Sequence, residues 1–171
     1  MSVELILGGA RSGKSRLAES RASESGLEGV YIATAYQSDD EEMQARIEHH
    51  QQQRPAEWAV IEEPIELASV LTKLDSAARC VLVDCLTLWL TNLLLAEDEA
   101  LFEQQIKALI EALPTLQSRV ILVSNEVGHG IVPLGELNRR FVDESGRLHQ
   151  RIAELADRVD FVMAGLPMRL K

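Results

Sequence analysis

Gly8, Gly9, Ala10, Arg11, Ser12, Gly13, Lys14 and Ser15 follow the spacing G-x-x-x-x-G-K-[ST] between an apolar run and a helical pattern. Glycines let a backbone fold its N–H groups around phosphate oxygens, and a helix N-terminus adds favourable potential. Lys14 then reaches the terminal phosphates and acts as a catalytic charge, while the Ser15 hydroxyl is a magnesium ligand. The expected ligand is a nucleoside triphosphate. Such a site needs a carboxylate at the end of another strand, and Asp84 follows apolar residues 80–83 in that way. Asp84 also suits a cap for the helix expected from Leu86, and the two roles are compatible.

A second reactive pattern lies at 38–53. Ser38, Asp39, Asp40 and Glu41 read as a capping box opening a helix. At helical spacing Met43, Ile47 and His50 share one stripe, and Glu42, Arg46, His49 and Gln53 share the next. A neutral imidazole, with an ordinary pKa of about 6.5, can attack phosphorus and form a phosphoramidate. His49 is the better placed of the pair, with Arg46 one turn before it to neutralise phosphate. On residue chemistry alone it reads first as an ordinary polar-face histidine, with catalysis the lesser reading.

These groups must be positioned by the elements around them. Short apolar runs at 3–7, 30–34, 58–62, 80–84, 120–124 and 160–164 read as strands buried on both faces. Amphipathic stretches at 14–25, 40–52, 65–74, 86–96, 101–113 and 146–158 read as helices. This alternation predicts an α/β fold, a single P-loop NTPase-type domain over 1–171 with a mostly parallel central sheet flanked by helices. Only 125–146 is ambiguous, as loop or helix. Trp58 and Trp89 are expected in the core, and Arg139 and Arg140 solvated or paired.

The chain has 171 residues, 46% of them hydrophobic, enough for one sizeable core. Its net charge of −10 argues against nucleic acid or an anionic membrane as partner, because the mean field repels polyanions. Cys80 and Cys85 are the two cysteines, which suits a reducing compartment. No cationic leader and no uncharged apolar run of ~18 residues is evident. A soluble cytoplasmic protein is expected.

Five stretches carry a resemblance: "GGARSGKS" (8–15), "YIAT" (31–34), "ARIEHHQQQRP" (45–55), "VDCLTLWLTNLL" (83–94) and "NEVGHGIVP" (125–133), the last running on into "RRFVDESGRLHQRIA" from Arg139. Together they resemble the bifunctional adenosylcobinamide kinase and adenosylcobinamide-phosphate guanylyltransferase family of cobalamin synthesis. The resemblance implies phosphorylation of the aminopropanol hydroxyl of adenosylcobinamide, then transfer of GMP from GTP to that phosphate with release of pyrophosphate. It implies Mg2+, with GTP and ATP as substrates, and self-guanylylation at His49. Carried onto this chain, the nucleotide contacts are Gly8 through Ser15, Thr34, Ala35, Tyr36, His50, Gln51, Gln52, Gln53, Glu62 and Asp84, with Ser15 and Asp84 at the metal. A homotrimer is implied as well.

Two positions depart from the family pattern, Val142 where arginine is frequent and His149 where asparagine is frequent. The 125–133 loop reads either as a substrate contact through Asn125 and Glu126 or as a rigid glycine turn, with His129 peripheral and Pro133 suited to start a helix. For the kinase step Glu126 and Asp84 are the candidate bases. Two other functions fit the same cradle: a monofunctional small-molecule kinase, and a nucleotide-switched regulatory module.

Overall fold

The computed structural model describes residues 2–35 and 57–171. The helix expected over 40–52 lies outside them, and so do Tyr36, His49, His50, Gln51, Gln52 and Gln53. Seven strands, β1 (Ser2–Gly8), β2 (Glu28–Ala33), β3 (Ala59–Glu62), β4 (Arg79–Asp84), β5 (Arg119–Asn125), β6 (Arg158–Met163) and β7 (Leu166–Arg169), form one sheet. Their order is β3-β2-β4-β5-β1-β6-β7, parallel from β3 to β6 with β7 antiparallel at the edge. The described helices are α1 (Lys14–Glu24), α2 (Leu67–Leu74), α3 (Leu86–Leu95), α4 (Glu99–Ala112) and α5 (Glu136–Leu155). The α/β reading from sequence holds.

Strand periodicity splits the core in two. Leu5, Leu7, Val81, Val83, Val120 and Leu122 face one layer, which α2 to α5 cover with Leu71, Trp89, Leu109 and Ile152. Ile6, Cys80, Leu82, Ile121 and Val123 face the other, against Ala18 and Ala22 of α1. A fully buried leucine contributes about 1.5–3 kcal/mol, so the first layer carries most of the stability. The fully buried apolar side chains of α1 are small, Ala18 and Ala22, with Leu17 partly buried beside them, and Arg21 adds buried bonds to Glu4 and Asp160. Trp89 lies in the core as expected, whereas Trp58 is only partly buried, against the α1 layer.

Two expected boundaries are corrected. The last helix starts at Glu136, not 146, and ends at Leu155, leaving Arg158 to open β6. Its first turn is exposed, Leu137 included, and Gly146 sits inside the helix despite glycine's poor propensity. Pro133 therefore precedes the helix without starting it, and Gly135 is the N-cap. The strand β7 was missed: it is exposed throughout and contains Pro167, and proline is confined to edge strands.

Candidate active site

Gly8 closes β1 and Lys14 opens α1, so 9–13 is a strand-to-helix loop as the motif requires. Gly13 caps the helix with φ 95°, a left-handed conformation that a side chain would strain. At Gly8 a Cβ would lie 2.5 Å from Ser12 Oγ and 2.6 Å from the Val162 carbonyl oxygen. No side chain caps α1, and its first turn carries no acid, so the first amides remain available to an anion. Lys14 Nζ donates to the Gly9 carbonyl at 3.4 Å, a long bond that a phosphate would readily replace.

The loop has a support that the sequence reading missed. The β6–β7 turn passes through Ala164 (φ 52°) and Gly165 (φ 78°), and the Gly165 N–H donates to the Ser12 carbonyl at 2.8 Å. Two successive positive φ values suit a two-residue hairpin, and the Ala-Gly pair between apolar runs was its available signal.

Glu62 and Asp84 end β3 and β4, and in register both stand opposite Ala33 of β2. This places the two carboxylates at the carboxyl edge of the sheet that also carries the phosphate loop, where open α/β sheets bind ligands. Asp84 does not cap α3, whose N-cap is Cys85 without a side-chain bond. Its Oδ2 is buried and has no hydrogen-bond partner among the described residues, and neither has Ser12 Oγ. Among those residues no three His, Cys, Asp or Glu side chains gather into a metal cage. The donor set suits magnesium, which is commonly held by one carboxylate, a hydroxyl, waters and the substrate's phosphates.

Thr34 has a structural position. It is fully buried, its hydroxyl donates to the Cys85 carbonyl at 2.7 Å, and the Cys85 N–H donates back at 3.0 Å. Asn92, polar within the apolar α3, donates to the Thr34 and Pro64 carbonyls at 2.7 and 3.1 Å. These bonds tie the chain leaving β2 and β3 to α3, so Thr34 anchors the edge from beneath; Ala35 is half-buried beside it. The Asp84–Cys85 peptide is cis. Burial, with the Asp84 charge, pushes the Cys85 thiol up to about 11, so it is no nucleophile at neutral pH. Both cysteines are free.

The β5 end lies between β1 and β4. Its next residue, Glu126, donates its N–H to the Gly8 carbonyl at 3.1 Å, and Glu126 Oε1 accepts from Gly128 N–H at 2.6 Å. His149 on α5 approaches the other carboxylate oxygen with Nδ1 at 3.5 Å, while Nε2 is 2.7 Å from Ser124 Oγ. Burial lowers the His149 pKa and Glu126 opposes this, leaving the ring neutral at neutral pH. Arg139 donates to the carbonyls of Pro133 and Leu134, and Arg140 pairs with Glu99 at 2.5 Å, so both arginines are paired as expected.

Residues 4–170 match the family model described as cobinamide kinase / cobinamide phosphate guanyltransferase. The chain is 61% identical over 168 residues to the bifunctional adenosylcobalamin biosynthesis protein CobP of Pseudomonas aeruginosa, covering 98% of this chain and 96% of that one. It is 39% identical over 180 aligned positions to CobU of Salmonella typhimurium, covering 98% of each. Among solved structures, a RadB recombinase superposes with a TM-score of 0.52 at 12% identity, covering 94% of this chain and 73% of the other. The type III secretion ATPase EscN of enteropathogenic E. coli gives 0.57 at 11%, covering 95% and 43%. At such identities these structures speak for the fold alone. The phosphate loop on this sheet and the full-length match together place the chain in the bifunctional cobinamide kinase / cobinamide phosphate guanyltransferase family of adenosylcobalamin biosynthesis.

Proposed function

We propose that one nucleotide cradle serves both reactions of the family, with His49 as the covalent carrier of GMP in the second. In the first, a nucleoside triphosphate phosphorylates the hydroxyl of adenosylcobinamide. In the second, His49 displaces pyrophosphate from the α-phosphorus of GTP, and the substrate phosphate then takes GMP from the histidine to give adenosylcobinamide-GDP. Splitting the transfer in this way needs a neutral imidazole and an aligned in-line attack.

The observation that carries the reading is the convergence of the uncapped α1 amides, Lys14 and the orphaned Asp84 oxygen on one sheet edge. Lys14 and the amides neutralise the phosphate oxygens and fix the triphosphate for attack. Magnesium held by Ser15, Asp84 and the phosphates would supply further positive charge against that developing on the transferred group. The remaining contacts, Thr34 to Tyr36, His50 to Gln53 and Glu62, are assigned by resemblance to the guanine nucleotide, Thr34 acting from beneath. The working form is a cytoplasmic homotrimer. No described helix is long and apolar enough to cross a membrane.

GTP labelled at the α-phosphate tests the covalent step. Label is expected to remain on denatured protein, to survive alkali, to be lost in acid, and to map to His49. An adduct retained by His49→Ala, or none at all during turnover, removes the histidine mechanism.

A further inference from the structure

We propose that Glu126 accepts the proton of the corrinoid hydroxyl in the kinase reaction, and that His149, backed by Ser124 and Thr87, is a positioning residue that holds the Glu126 carboxylate for it. This rests on the family's kinase reaction. It chooses between two carboxylates at the sheet edge and gives a role to a buried histidine that the nucleotide site leaves unused.

Main-chain geometry places Glu126 first. Its N–H is bonded to the carbonyl of Gly8, the first residue of the phosphate loop, so it is fixed to the cradle itself. Next along the chain, walled by Val127 and Gly128 but not by Glu126 itself, lies a groove of about 140 Å³ that Pro133, Arg139, Val142 and Asp143 also line, with room for one arm of a substrate. The Glu126 side chain is 20% exposed, open enough to meet a hydroxyl yet shielded enough to hold a fixed position. Asp84 instead has a buried, unpartnered oxygen suited to a cation.

One assignment of the hydroxyl hydrogens gives the polar chain behind Glu126 a direction. Thr87 Oγ1 accepts the Asn125 N–H at 2.8 Å and lies 3.4 Å from Ser124 Oγ. With the Thr87 hydroxyl hydrogen given to Ser124, the Ser124 hydroxyl donates to His149 Nε2 at 2.7 Å. The tautomer that accepts at Nε2 carries its hydrogen on Nδ1, a buried atom that makes no hydrogen bond among the described residues and lies 3.5 Å from Glu126 Oε2, the nearest acceptor to it in this chain of groups. Carboxylate, imidazole and hydroxyl in this order have the connectivity of a hydrolase triad. Ser124 is only 1% exposed, however, so no substrate reaches it and the chain serves the carboxylate end.

In the step itself the hydroxyl oxygen forms a bond to the γ-phosphorus and its proton passes to Glu126. The bond from the γ-phosphorus to the bridging oxygen breaks, its electron pair leaving with the nucleoside diphosphate. Glu126 then returns the proton to solvent.

The test measures the two half-reactions separately, phosphorylation of adenosylcobinamide and guanylyl transfer to preformed adenosylcobinamide phosphate, with thermal melting as the folding control. Glu126→Gln is expected to lower the kinase kcat roughly 100-fold, with KM little changed and guanylyl transfer retained. His149→Ala should lower the kinase kcat about tenfold, and His149→Asn, whose amide keeps a donor without titrating, should restore most of it. Equal losses in both half-reactions would mark structural damage and overturn the proposal. Full kinase activity in Glu126→Gln would also overturn it. If His149→Ala does not fold, Glu126→Gln and Glu126→Asp decide alone. A wild-type enzyme that guanylylates but never phosphorylates sinks the kinase reading itself, a result distinct from either variant outcome.

Discussion

The two ends of the sheet treat buried polar groups in opposite ways. Beneath α1, Glu4, Arg21 and Asp160 are each at least nine-tenths buried, and their charges are paired throughout. Arg21 bridges Glu4 at 3.2 Å and Asp160 at 2.6 Å, Arg119 holds the other Glu4 oxygen at 2.5 Å, and Arg158 holds Asp160 at 2.6 Å. At the carboxyl edge, Ser12 Oγ, Asp84 Oδ2 and Asn125 Oδ1 are buried with no hydrogen-bond partner among the described residues. Each such atom costs about 1–3 kcal/mol, so three of them amount to a large fraction of a domain's net stability. The first end is complete as folded, whereas under the proposed function the second is completed by the ligand, whose phosphates and cation would supply the missing partners.

Lys14→Ala should separate the ends most sharply. The lysine is half-exposed and makes one long bond within the loop, so its loss should leave the melting temperature nearly unchanged. Both half-reactions should fall by roughly 1,000-fold or more, as when a preorganised charge is removed from a phosphoryl-transfer site. Parallel loss of stability and activity would break the contrast. Arg21→Met is the opposite experiment. It leaves Glu4 and Asp160 buried with fewer partners, and should cost about 3–5 kcal/mol in urea denaturation. The protein that remains folded should bind nucleotide normally, because Arg21 faces the sheet and not the loop.

The sequence made the second end legible and left the first dark. Gly8, Gly13, Lys14 and Ser15 are fixed by what a phosphate demands of adjacent backbone, so their spacing could be read without tertiary knowledge. The central parallel strands were equally plain, because burial on both faces produces unbroken apolar runs, whereas β3, expected to be buried as well, lies at the sheet edge and is mostly exposed. The Arg21 network could not be read: Glu4, Arg21, Arg119, Arg158 and Asp160 are brought together only by strand order. The same holds for Gly165, whose amide supports Ser12 from the far end of the chain, and for His149, which α5 packing brings to Ser124 and Glu126. Thr34 was read as a nucleotide contact by resemblance, and only its bonds to Cys85 reveal an anchoring role.

Asp84→Asn tests whether the unpaired oxygen at the edge is held for a cation. Removing the charge should lower both activities about 100-fold and weaken the magnesium dependence of nucleotide binding. Stability should be unchanged or slightly raised, since a buried carboxylate oxygen without a partner is replaced by a neutral amide. A clear loss of stability would mean that the oxygen has a structural partner after all.

The smallest effect is the pH dependence of the first end. Burial pushes the Asp160 carboxyl up, but the bonds from Arg158 and Arg21 outweigh it and leave the group below the ordinary carboxylate range. A pKa lowered by folding means that the unfolded chain binds more protons, so stability rises with pH across the window between the two values. The Asp160 contribution is therefore complete above the unfolded value, about 3.9, and disappears as pH falls through the folded one. Asp75 is lowered in the same sense, because hydrogen bonds from Gln117 and Ser118 outweigh its burial. The informative quantity is thus the difference between wild type and Asp160→Asn in urea denaturation from neutral pH downward. That difference should be constant above pH about 5 and shrink below about 4, because protonation removes from the wild type the charge that the variant already lacks. A difference that stays constant into strong acid would show that Asp160 is not held ionised by its arginines, and the ionic end would then differ from the catalytic edge in hydrogen bonding alone.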